Sequence, residues 1–391
     1  MNQDDQEKQM NKYDIAVIGG GMVGAAVAIG FAKQGRSVLV IDSAVPEAFF
    51  PQQAMDIRVS AISHNSVRLL ETLGAWQHIK AMRVCPYKRL ETWEHPECRT
   101  RFHSDALQLE QLGFIVENRL IQLGLWQEFA HYDNLTLLCP ERLQSIQFMQ
   151  TNLLTLESGL QVEADWVIGA DGAHSKVRDL AGIGVTAWDY RQHCMLISVE
   201  TALPQQDITW QQFTPSGPRS FLPLCGNQAS LVWYDSPQRI RKLSSLSSEQ
   251  LKQEVLAHFP GELGEINVLR WGTFPLTRRH AQSYAKHNCL LVGDAAHTIN
   301  PLAGQGVNLG FKDVEQLLKV CDGKPLTLQA QKQYQSARRA DNLLMQTGMD
   351  LFYKGFSNDL TPLKFARNAA LKLAEHSGPI KQQVLKYALG L

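Results

Sequence analysis

Three glycines near the start of the chain have the spacing of a phosphate-binding turn. They are Gly19, Gly21 and Gly24, preceded by apolar residues 15–18 and followed by an alanine-rich stretch that predicts a helix. The first glycine permits a tight turn, the second lets a pyrophosphate approach the backbone, and the third lets helix and strand pack closely. A second apolar strand ends at Asp42, 18 residues after Gly24, where a carboxylate can accept hydrogen bonds from ribose hydroxyls. This pattern predicts an adenine-dinucleotide site.

A second segment with the order strand, glycine, acid and helix covers residues 164–178. Its acid is Asp171, within the letters GADG, and a helix is predicted from about Ser175. Asp171 has two interpretations. It lies near a phosphate group of the cofactor, or its only role is to cap the helix that follows.

A third segment, residues 289–313, repeats the order with Gly293 and Asp294. A loop that contains Pro301 and three further glycines then leads to a helix predicted from about Gly306. The free N–H groups and the positive dipole end at such a helix start favour a buried anion. No further complete dinucleotide motif follows a strand, so a separate nicotinamide domain is not expected.

The three segments, in this order, resemble the fingerprints of the flavoprotein aromatic hydroxylases, the family of para-hydroxybenzoate hydroxylase. The resemblance implies that Asp294 binds the ribityl chain of FAD, and that Asp171 lies near the pyrophosphate and also serves the nicotinamide donor. It implies that the helix from about Gly306 faces the pyrimidine edge of the flavin, and that Arg58 contacts the flavin. The cofactor-binding residues expected from motifs and resemblance are Gly19, Gly21, Gly24, Asp42, Arg58, Arg119, Asp171, Gly293, Asp294, Pro301, Gly304, Gly306 and Asn308.

Longer stretches are similar to one branch of that family, the ubiquinone-biosynthesis hydroxylases. They include residues 208–224, 230–237, 274–281, 348–360 and the last seven residues. The branch implies a polyprenylated methyl-methoxy-benzoquinol as substrate, dioxygen as co-substrate, and NADPH or NADH as transient electron donor. A flavin C4a-hydroperoxide would then transfer the hydroxyl group to the ring. Two alternatives stay open: a sister enzyme that hydroxylates another ring position, and an FAD-dependent prenyl reductase.

Candidate residues for the substrate and for proton transfer are less defined. Between residues 188 and 277 the pattern alternates and is rich in β-branched residues, which predicts strands. Aromatic and apolar residues there could line a substrate wall or pack the core of the sheet: Trp210, Phe213, Phe221, Pro223 and Trp233, with Leu222 and Tyr234. His297, beside the Gly293–Asp294 turn, is a hypothetical catalytic base with a structural role as its alternative. No metal-ligand spacing occurs, so no metal is expected.

The elements that must position these residues predict an α/β chain (α+β overall). The expected organisation is a Rossmann-like βαβ FAD-binding domain with an inserted antiparallel β-sheet substrate domain and a helical C-terminus. Its expected parts are a polar extension (1–12), the FAD-binding domain (13–80, 111–181 and 275–335), the substrate domain (81–110 and 182–274) and C-terminal helices (336–391). An amphipathic helix is predicted over residues 243–259. A basic amphipathic tail from residue 364 could contact an anionic membrane or a partner, or pack on the flavin domain.

Composition excludes several classes of protein. The 391 residues carry 38 basic and 38 acidic side chains, so no nucleic-acid partner is expected. Seven scattered cysteines without a CxxC pair indicate free thiols in a reducing compartment. The polar start and the lack of a long apolar run predict a cytoplasmic protein. Its apolar substrate suggests peripheral contact with the inner face of the membrane, or with other proteins of ubiquinone biosynthesis.

Overall fold

The computed structural model describes residues 11–299, 306–356, 358, 360–375, 377–378, 381–383 and 385. Within these residues the chain forms three β-sheets, with α-helices around them. The helices are α1 (Met22–Lys33), α2 (His64–Thr72), α3 (Trp76–Met82), α4 (Asn118–Phe129), α5 (Lys176–Leu180), α6 (Pro237–Ser244), α7 (Ser248–His258), α8 (Gly306–Cys321), α9 (Leu328–Phe356) and α10 (Thr361–Glu375).

The first sheet carries the glycine motifs. Its strands are β1 (Lys12–Ile18), β2 (Val38–Ile41), β8 (Leu135–Leu138), β9 (Leu143–Gln147), β10 (Asn152–Leu156), β11 (Gln161–Gly169), β17 (Ala285–Lys286) and β18 (Cys289–Leu291). The order is β17-β18-β11-β1-β2-β8, and the pairs around β1 are parallel. All four residues of β2 are buried, as expected where helices cover both faces of a parallel sheet.

Helix α1 connects β1 to β2 and packs between the sheet and helices α4 and α8. Nine consecutive residues from Gly24 to Ala32 are buried, and most of them are small. At Gly30 an added Cβ would lie 2.3 Å from the Leu318 side chain of α8. Small residues therefore allow α1 to approach its neighbours closely, which fixes the position of the glycine turn at its N-terminus.

The second sheet is built around two long antiparallel strands. Its strands are β5 (Arg89–Trp93), β6 (Thr100–His103), β12 (Val185–Thr201), β13 (Ile208–Gln212), β14 (Arg219–Pro223), β15 (Gln228–Asp235), β16 (Ile266–Ala281) and β19 (His297–Thr298). The order is β19-β16-β12-β15-β14-β13-β5-β6. The predicted antiparallel pattern holds except between β13 and β5, which pair in parallel because β5 comes from an earlier part of the chain.

The two faces of the second sheet have different neighbours. The outer face, defined by Trp210, Phe221 and Trp233, packs in one core cluster with residues of α6 and α7. The inner face, defined by Cys194, Leu196, Leu222 and Tyr234, is turned toward the rest of the molecule. There Cys194 and Tyr234 cluster with Ile57, and Leu222 clusters with residues of the third sheet.

The helix predicted over residues 243–259 is confirmed as α7, but it begins at Ser248 and not at residue 243, because the end of α6 occupies residues 243–244. Helix α6 ends at Ser244, and α7 begins at Ser248. Ser247 caps α7: its side chain accepts a hydrogen bond from the Gln250 backbone, and the Gln250 side chain bonds back to Ser247. A serine-rich stretch satisfies the free N–H groups of a new helix better than it continues an old one.

The third sheet and the C-terminal helices complete the molecule. The small sheet has the order β3 (Val59–Ser63), β7 (Gly113–Glu117) and β4 (Cys85–Tyr87). Helix α9 packs on α8, and α10 packs against β6, at the edge of the second sheet. A buried ion pair between Arg367 of α10 and Glu94 holds this contact. Among the described helices, none is both long and apolar enough to cross a bilayer.

Candidate active site

The glycine turn between β1 and α1 has the geometry that its spacing predicts. Gly19 has φ +98°, and a Cβ there would lie 2.5 Å from the Ala170 carbonyl oxygen. At Gly24 a Cβ would lie 1.9 Å from the Gly19 carbonyl oxygen, so the helix and the turn are in direct contact. Around Gly21 an added Cβ would meet no atom within 4 Å. The turn is therefore closely packed on one side and open at Gly21, where a phosphate group would approach.

Three side chains, from the end of β2 and from helix α4, hold Gly20 in this turn. Its N–H donates to Asp42 Oδ2 at 2.6 Å, and Asp42 Oδ1 accepts from the Ala44 N–H at 3.0 Å. Its carbonyl oxygen accepts from Trp126 Nε1 at 2.7 Å and from Gln122 Nε2 at 3.0 Å. Asp42 thus lies at the end of β2 beside the turn, as predicted. The roles of Gln122 and Trp126 on α4 were missed, because no local pattern links them to a glycine about 100 residues earlier.

Asp171 lies at the turn between β11 and α5. Its carboxylate accepts hydrogen bonds from Ser175 Oγ at 2.5 Å and from the Val177 N–H at 3.1 Å. Burial raises the pKa of Asp171, although these hydrogen bonds act in the opposite direction. Both oxygens are therefore engaged at the start of α5. These contacts support the interpretation that Asp171 caps helix α5. The neighbouring Ala170 packs against Gly19, so the same turn also lies beside the glycine turn.

The Gly293–Asp294 turn follows β18 and lies against α1. Gly293 has φ +57°, and a Cβ there would lie 3.3 Å from the Val23 side chain. The Asp294 side chain is exposed, yet desolvation by surrounding protein raises its pKa above the usual value, against the opposing effect of His297 and Arg58. The turn leads directly into β19, which pairs with β16, so Asp294 lies where the first sheet meets the second sheet, a region called the cleft below.

Arg58 lies at the same cleft. Its guanidinium carbon is 5.5 Å from the centre of the Phe274 ring on β16, and burial raises the pKa of both Asp294 and Cys194 while the charge of Arg58 opposes that rise. Arg58 is exposed, and no ion pair is found for it in the described part of the chain. The alternative that it forms a surface ion pair is therefore not supported. The structure brings Arg58 and Asp294 together between the first sheet and the inner face of the second.

Arg119 is engaged by protein groups. Its Nε and Nη2 atoms donate to the two Asp56 carboxylate oxygens at 2.9 and 3.2 Å, and Nη1 donates to the carbonyls of Glu47 and Ala48. Such a bidentate pair fixes both partners. Arg119 therefore positions residues 47–56, the segment that leads to Arg58.

Asn308 also makes contacts within the protein. Its Oδ1 accepts from the Ser63 N–H at 3.0 Å and from Ser66 Oγ at 2.7 Å, while Nδ2 donates to the Ala61 carbonyl at 2.8 Å. It thereby ties the first turn of α8 to β3. A Cβ at Gly306 would meet no atom of the described residues within 4 Å. Pro301 and Gly304 lie outside the described residues.

His297 belongs to a buried polar network. It is 2% exposed, and its Nε2 lies 2.5 Å from Oδ2 of Asp313, which also accepts from the Gly293 N–H. Asp313 Oδ1 accepts from Arg338 Nε at 2.8 Å and from Asn342 Nδ2 at 3.1 Å. Burial alone would raise the pKa of Asp313, but His297 and Arg338 outweigh it and the pKa is lowered. The network ties α8 and α9 to the Gly293–Asp294 turn, which favours the structural role of His297.

Of the aromatic residues predicted either to line a substrate wall or to pack the core, Trp210, Phe221 and Trp233 lie on the outer face of the second sheet. These three side chains, in register across β13, β14 and β15, pack in the outer-face core against α6 and α7. Pro223, two residues after Phe221, alternates to the same face. Strand alternation predicts two faces but does not reveal which one receives helices. Phe213 lies beyond β13 and packs against Phe356, with ring centres 4.5 Å apart.

One group of potential metal ligands comes together that the sequence spacing did not reveal. Glu128 Oε2 lies 3.0 Å from His78 Nε2 and 3.3 Å from His131 Nδ1. Hydrogen bonds from the two imidazoles to this carboxylate account for the arrangement without an ion. The group joins α3 to the C-terminal end of α4.

Comparisons with known proteins agree with this geometry. The family described as FAD binding domain matches residues 12–322. The chain is 51% identical over 385 residues to 3-demethoxyubiquinol 3-hydroxylase of Escherichia coli K12, covering 97% of this chain and 98% of the relative. It is 33% identical to ubiquinone hydroxylase UbiL of Rhodospirillum rubrum, covering 96% and 89% of the two chains.

Solved structures show the same fold at low sequence identity. The structure of p-nitrophenol 4-monooxygenase PnpA from Pseudomonas putida has a TM-score of 0.80 at 16% identity, over 97% of this chain and 99% of that one. The FAD-dependent monooxygenase pqsL from Pseudomonas aeruginosa has a TM-score of 0.78 at 20% identity, over 92% and 100%. The predicted fold class and the prediction of FAD as cofactor are therefore confirmed. The chain belongs to the FAD-dependent monooxygenase family, in the branch that contains the ubiquinone-biosynthesis hydroxylases.

Proposed function

We propose that this chain hydroxylates the ring of a polyprenylated methyl-methoxy-benzoquinol in ubiquinone biosynthesis, with dioxygen and NADPH or NADH. The observation that carries the proposal is the 51% identity to 3-demethoxyubiquinol 3-hydroxylase over nearly the full length of both chains. Residues 13–80, 111–181 and 275–335 are proposed to bind FAD, and residues 81–110 and 182–274 the substrate. A sister activity at another ring position is less favoured, because the relative whose name specifies the 3-position shares 51% identity, whereas UbiL shares 33%.

The residues around the cleft fit FAD. The open side of Gly21 and the N-terminus of α1 suit the pyrophosphate, Asp42 suits the ribose, and Asp294 suits the ribityl hydroxyls. When bound, FAD supplies the redox chemistry that uses electrons from the nicotinamide and dioxygen to hydroxylate an electron-rich ring. The protein orients the substrate ring beside the cofactor and excludes water. Cys194 and Leu196 are suited to that task, since both are buried on the inner face and neither is charged.

The first test follows oxygen uptake by the purified, FAD-saturated protein. With NADPH and a demethoxyubiquinol analogue, uptake is expected to rise and the product to gain one oxygen atom, whose position mass spectrometry and NMR would identify. Hydroxylation at another carbon would move the assignment to a sister activity. Consumption of NADPH that reduces the side chain without oxygen uptake would support a prenyl reductase and contradict the proposal.

Arg58 is expected to act on the reaction more than on the fold. Because its exposed guanidinium lies in the cleft near Asp294, Arg58→Ala should lower kcat by about a hundredfold, the lower end of the range for loss of one group that stabilises developing charge. Steady-state hydroxylation at saturating FAD measures this effect. Arg58→Lys should recover part of the rate if charge is what matters. Arg68→Ala, an exposed position on α2, is the matched control and should behave as wild type. A wild-type kcat for Arg58→Ala would remove the proposed role.

For His297 we propose a positioning role in place of proton transfer, because its ring is buried and bonded to Asp313. His297→Asn keeps a hydrogen-bond donor for Asp313. The hydroxylation rate of the FAD-saturated variant should therefore stay within about tenfold of wild type. Loss of a general base would lower the rate by roughly a hundredfold or more. The pH profile of kcat should keep its shape. Loss of one limb of that profile would restore His297 as the base.

A membrane contact is proposed for the C-terminal helices. Exposed apolar side chains lie along α9 and α10, among them Leu344 (67% exposed), Leu351 (74%) and Phe365 (75%). Lys364 and Lys372 of α10 add positive charge beside them, which suits an anionic lipid surface, whereas Arg367 is buried in its pair with Glu94. An apolar tail of the substrate would reach the enzyme from such a surface.

Leu344→Glu/Leu351→Glu is therefore expected to lower binding to vesicles of phosphatidylglycerol and phosphatidylethanolamine. Each exposed leucine that no longer enters the lipid costs about 1.5–3 kcal/mol of binding free energy, so a loss of at least about tenfold is expected. Vesicle flotation measures it. The matched control is Leu160→Glu, which changes an exposed leucine in the turn between β10 and β11. Equal binding by the double variant and the control would contradict the proposed surface.

A further inference from the structure

A pocket of about 160 Å³ lies where β5, β13 and β14 meet. Six of its lining residues alternate to the inner face of the second sheet. They are Leu90, Thr92, Thr209, Gln211, Ser220 and Leu222, and the lining also includes Glu91, Trp210 and Phe213. An apolar cavity of about 150 Å³ accommodates a benzene-sized molecule. The pocket is therefore large enough for a short branched hydrocarbon segment.

The lining offers little to a charged or strongly polar ligand. Thr209 Oγ1 donates to the Phe221 carbonyl at 2.8 Å, and Ser220 Oγ donates to Gln211 Oε1 at 3.3 Å. The Glu91 carboxylate pairs with Arg99. Among the described residues, two uncharged polar groups of the inner-face lining have no hydrogen-bond partner, the Thr92 hydroxyl and the side-chain nitrogen of Gln211. The charged side chain of the lining is paired, so an uncharged and mainly apolar ligand suits this wall.

A single cross-strand row connects the pocket to the flavin cleft. Gly272 of β16 pairs with Leu196, Leu196 with Val232, Val232 with Ser220, Ser220 with Gln211, and Gln211 with Thr92. A Cβ at Gly272 would lie 3.6 Å from the side chain of Ile57, the neighbour of Arg58. Three strand spacings of about 4.8 Å separate Gly272 from Ser220, so the pocket begins roughly 14 Å from the cleft along this row.

The residues between cleft and pocket are apolar or small. Gly272 has no side chain, and Leu196 and Val232 follow it before Ser220 is reached. At the far end, Phe213 packs on Phe356, the last residue of α9, which places the pocket beside the C-terminal helices. A ring held near Arg58 could thus extend an apolar substituent along the inner face toward those helices.

We propose that this pocket is the subsite for the isoprenoid tail of the substrate. This inference rests on the proposed function, because a tailed quinol is the substrate that requires such a subsite. The ring lies at the cleft, the first part of the tail crosses Leu196 and Val232, and a later segment occupies the pocket. The pocket then contributes to the affinity for tailed substrates and not to the chemistry at the ring.

The experiment compares two quinols that differ only in the tail, one with a geranyl group and one with a methyl group in its place. Their oxidised forms serve as ligands for calorimetric binding to the FAD-loaded protein. Thr92→Trp fills the pocket from β5. It should weaken binding of the geranyl compound by about tenfold, which is the effect expected when about two CH₂ groups are no longer buried. Binding of the methyl compound should stay within about twofold of wild type. Thr186→Trp, at an exposed position on β12, is the matched control and should change neither.

Thr92→Val should have the opposite effect on binding of the geranyl compound, and it keeps the shape of the side chain. Because it removes a hydroxyl that has no partner, binding of the geranyl compound should tighten while binding of the methyl compound stays constant. Equal effects on both compounds, or no effect of Thr92→Trp on either, would overturn the subsite. If the wild-type protein hydroxylates neither quinol, the proposed function fails by itself. The binding difference between the two compounds would still decide whether the pocket holds an isoprenoid chain.

Discussion

Gly24→Ala is expected to destabilise the first sheet and to abolish FAD binding. The new Cβ would lie 1.9 Å from the Gly19 carbonyl oxygen and 2.9 Å from the Ala170 Cβ, both in rigid backbone turns. Helix α1 would have to move away from β1, and its N-terminus would leave the position proposed for the pyrophosphate. Overpacking of this kind costs about 1–3 kcal/mol. Thermal unfolding and the flavin absorbance of the purified variant measure the two effects.

Gly21→Ala separates the two effects, because a Cβ there meets no atom within 4 Å. This variant should unfold at the wild-type temperature but should bind FAD only weakly. The reason is that the methyl group would occupy the side of the turn where the pyrophosphate approaches. Gly348→Ala on α9, which also has open space around it, should keep both stability and FAD. A Gly24→Ala protein with normal stability and a normal flavin spectrum would show that the contact between α1 and the turn is not required.

Arg338→Met is expected to lower the free energy of unfolding by about 3–5 kcal/mol, the usual cost of leaving one partner of a buried ion pair uncompensated. Asp313 is fully buried, and Arg338 Nε donates to its Oδ1 at 2.8 Å. Asp313 also accepts a hydrogen bond from the Gly293 N–H and so holds the turn that is proposed to bind FAD. The affinity for FAD should therefore fall together with the stability. Urea unfolding and FAD titration measure both. Arg101→Met, at an exposed arginine on β6, is the control.

The double variant Asp313→Asn/Arg338→Met tests the mechanism of that loss. Without the buried negative charge, removal of the arginine should cost less, so the double variant should be more stable than Arg338→Met alone. The pKa of Asp313 is lowered in the folded protein, so its ionised form contributes stability above the unfolded pKa of about 3.9. That contribution is lost as pH falls through the folded pKa. A double variant that is less stable than either single variant would contradict this account.

The parts of the site that follow local rules could be predicted from sequence. Gly19, Gly24 and Gly293 each lie where a positive φ or a close backbone approach excludes a side chain. Such requirements involve a few neighbouring residues, and glycine at a fixed offset indicates them directly. Asp294 is also predictable, because it ends a short strand next to a glycine.

The parts that depend on tertiary contacts could not be predicted. Trp126 donates to Gly20 from a helix 106 residues later, and Arg338 reaches Asp313 from α9. The aromatic residues of the second sheet show the same limit. Alternation places Trp210 and Phe221 on one face, but only the folded position of α6 and α7 reveals that this face is core. Of the residues now proposed for the tail, Trp210, Phe213 and Leu222 were among the predicted candidates, whereas Thr92 and Gln211 carry no aromatic signal.

The path of β12 and β16 has a consequence for how this protein could have diversified. The chain leaves the first sheet at Val185 and returns at Ala281, and these two residues are direct partners in an antiparallel pair. The two ends of the segment 185–281 therefore lie side by side. This segment can be exchanged without altering the connections of the flavin sheet. Inherited variation within this segment would change the ring position or the contacts of the tail with β13 and β14, while the glycine turns and the part of the pocket on β5 stay constant.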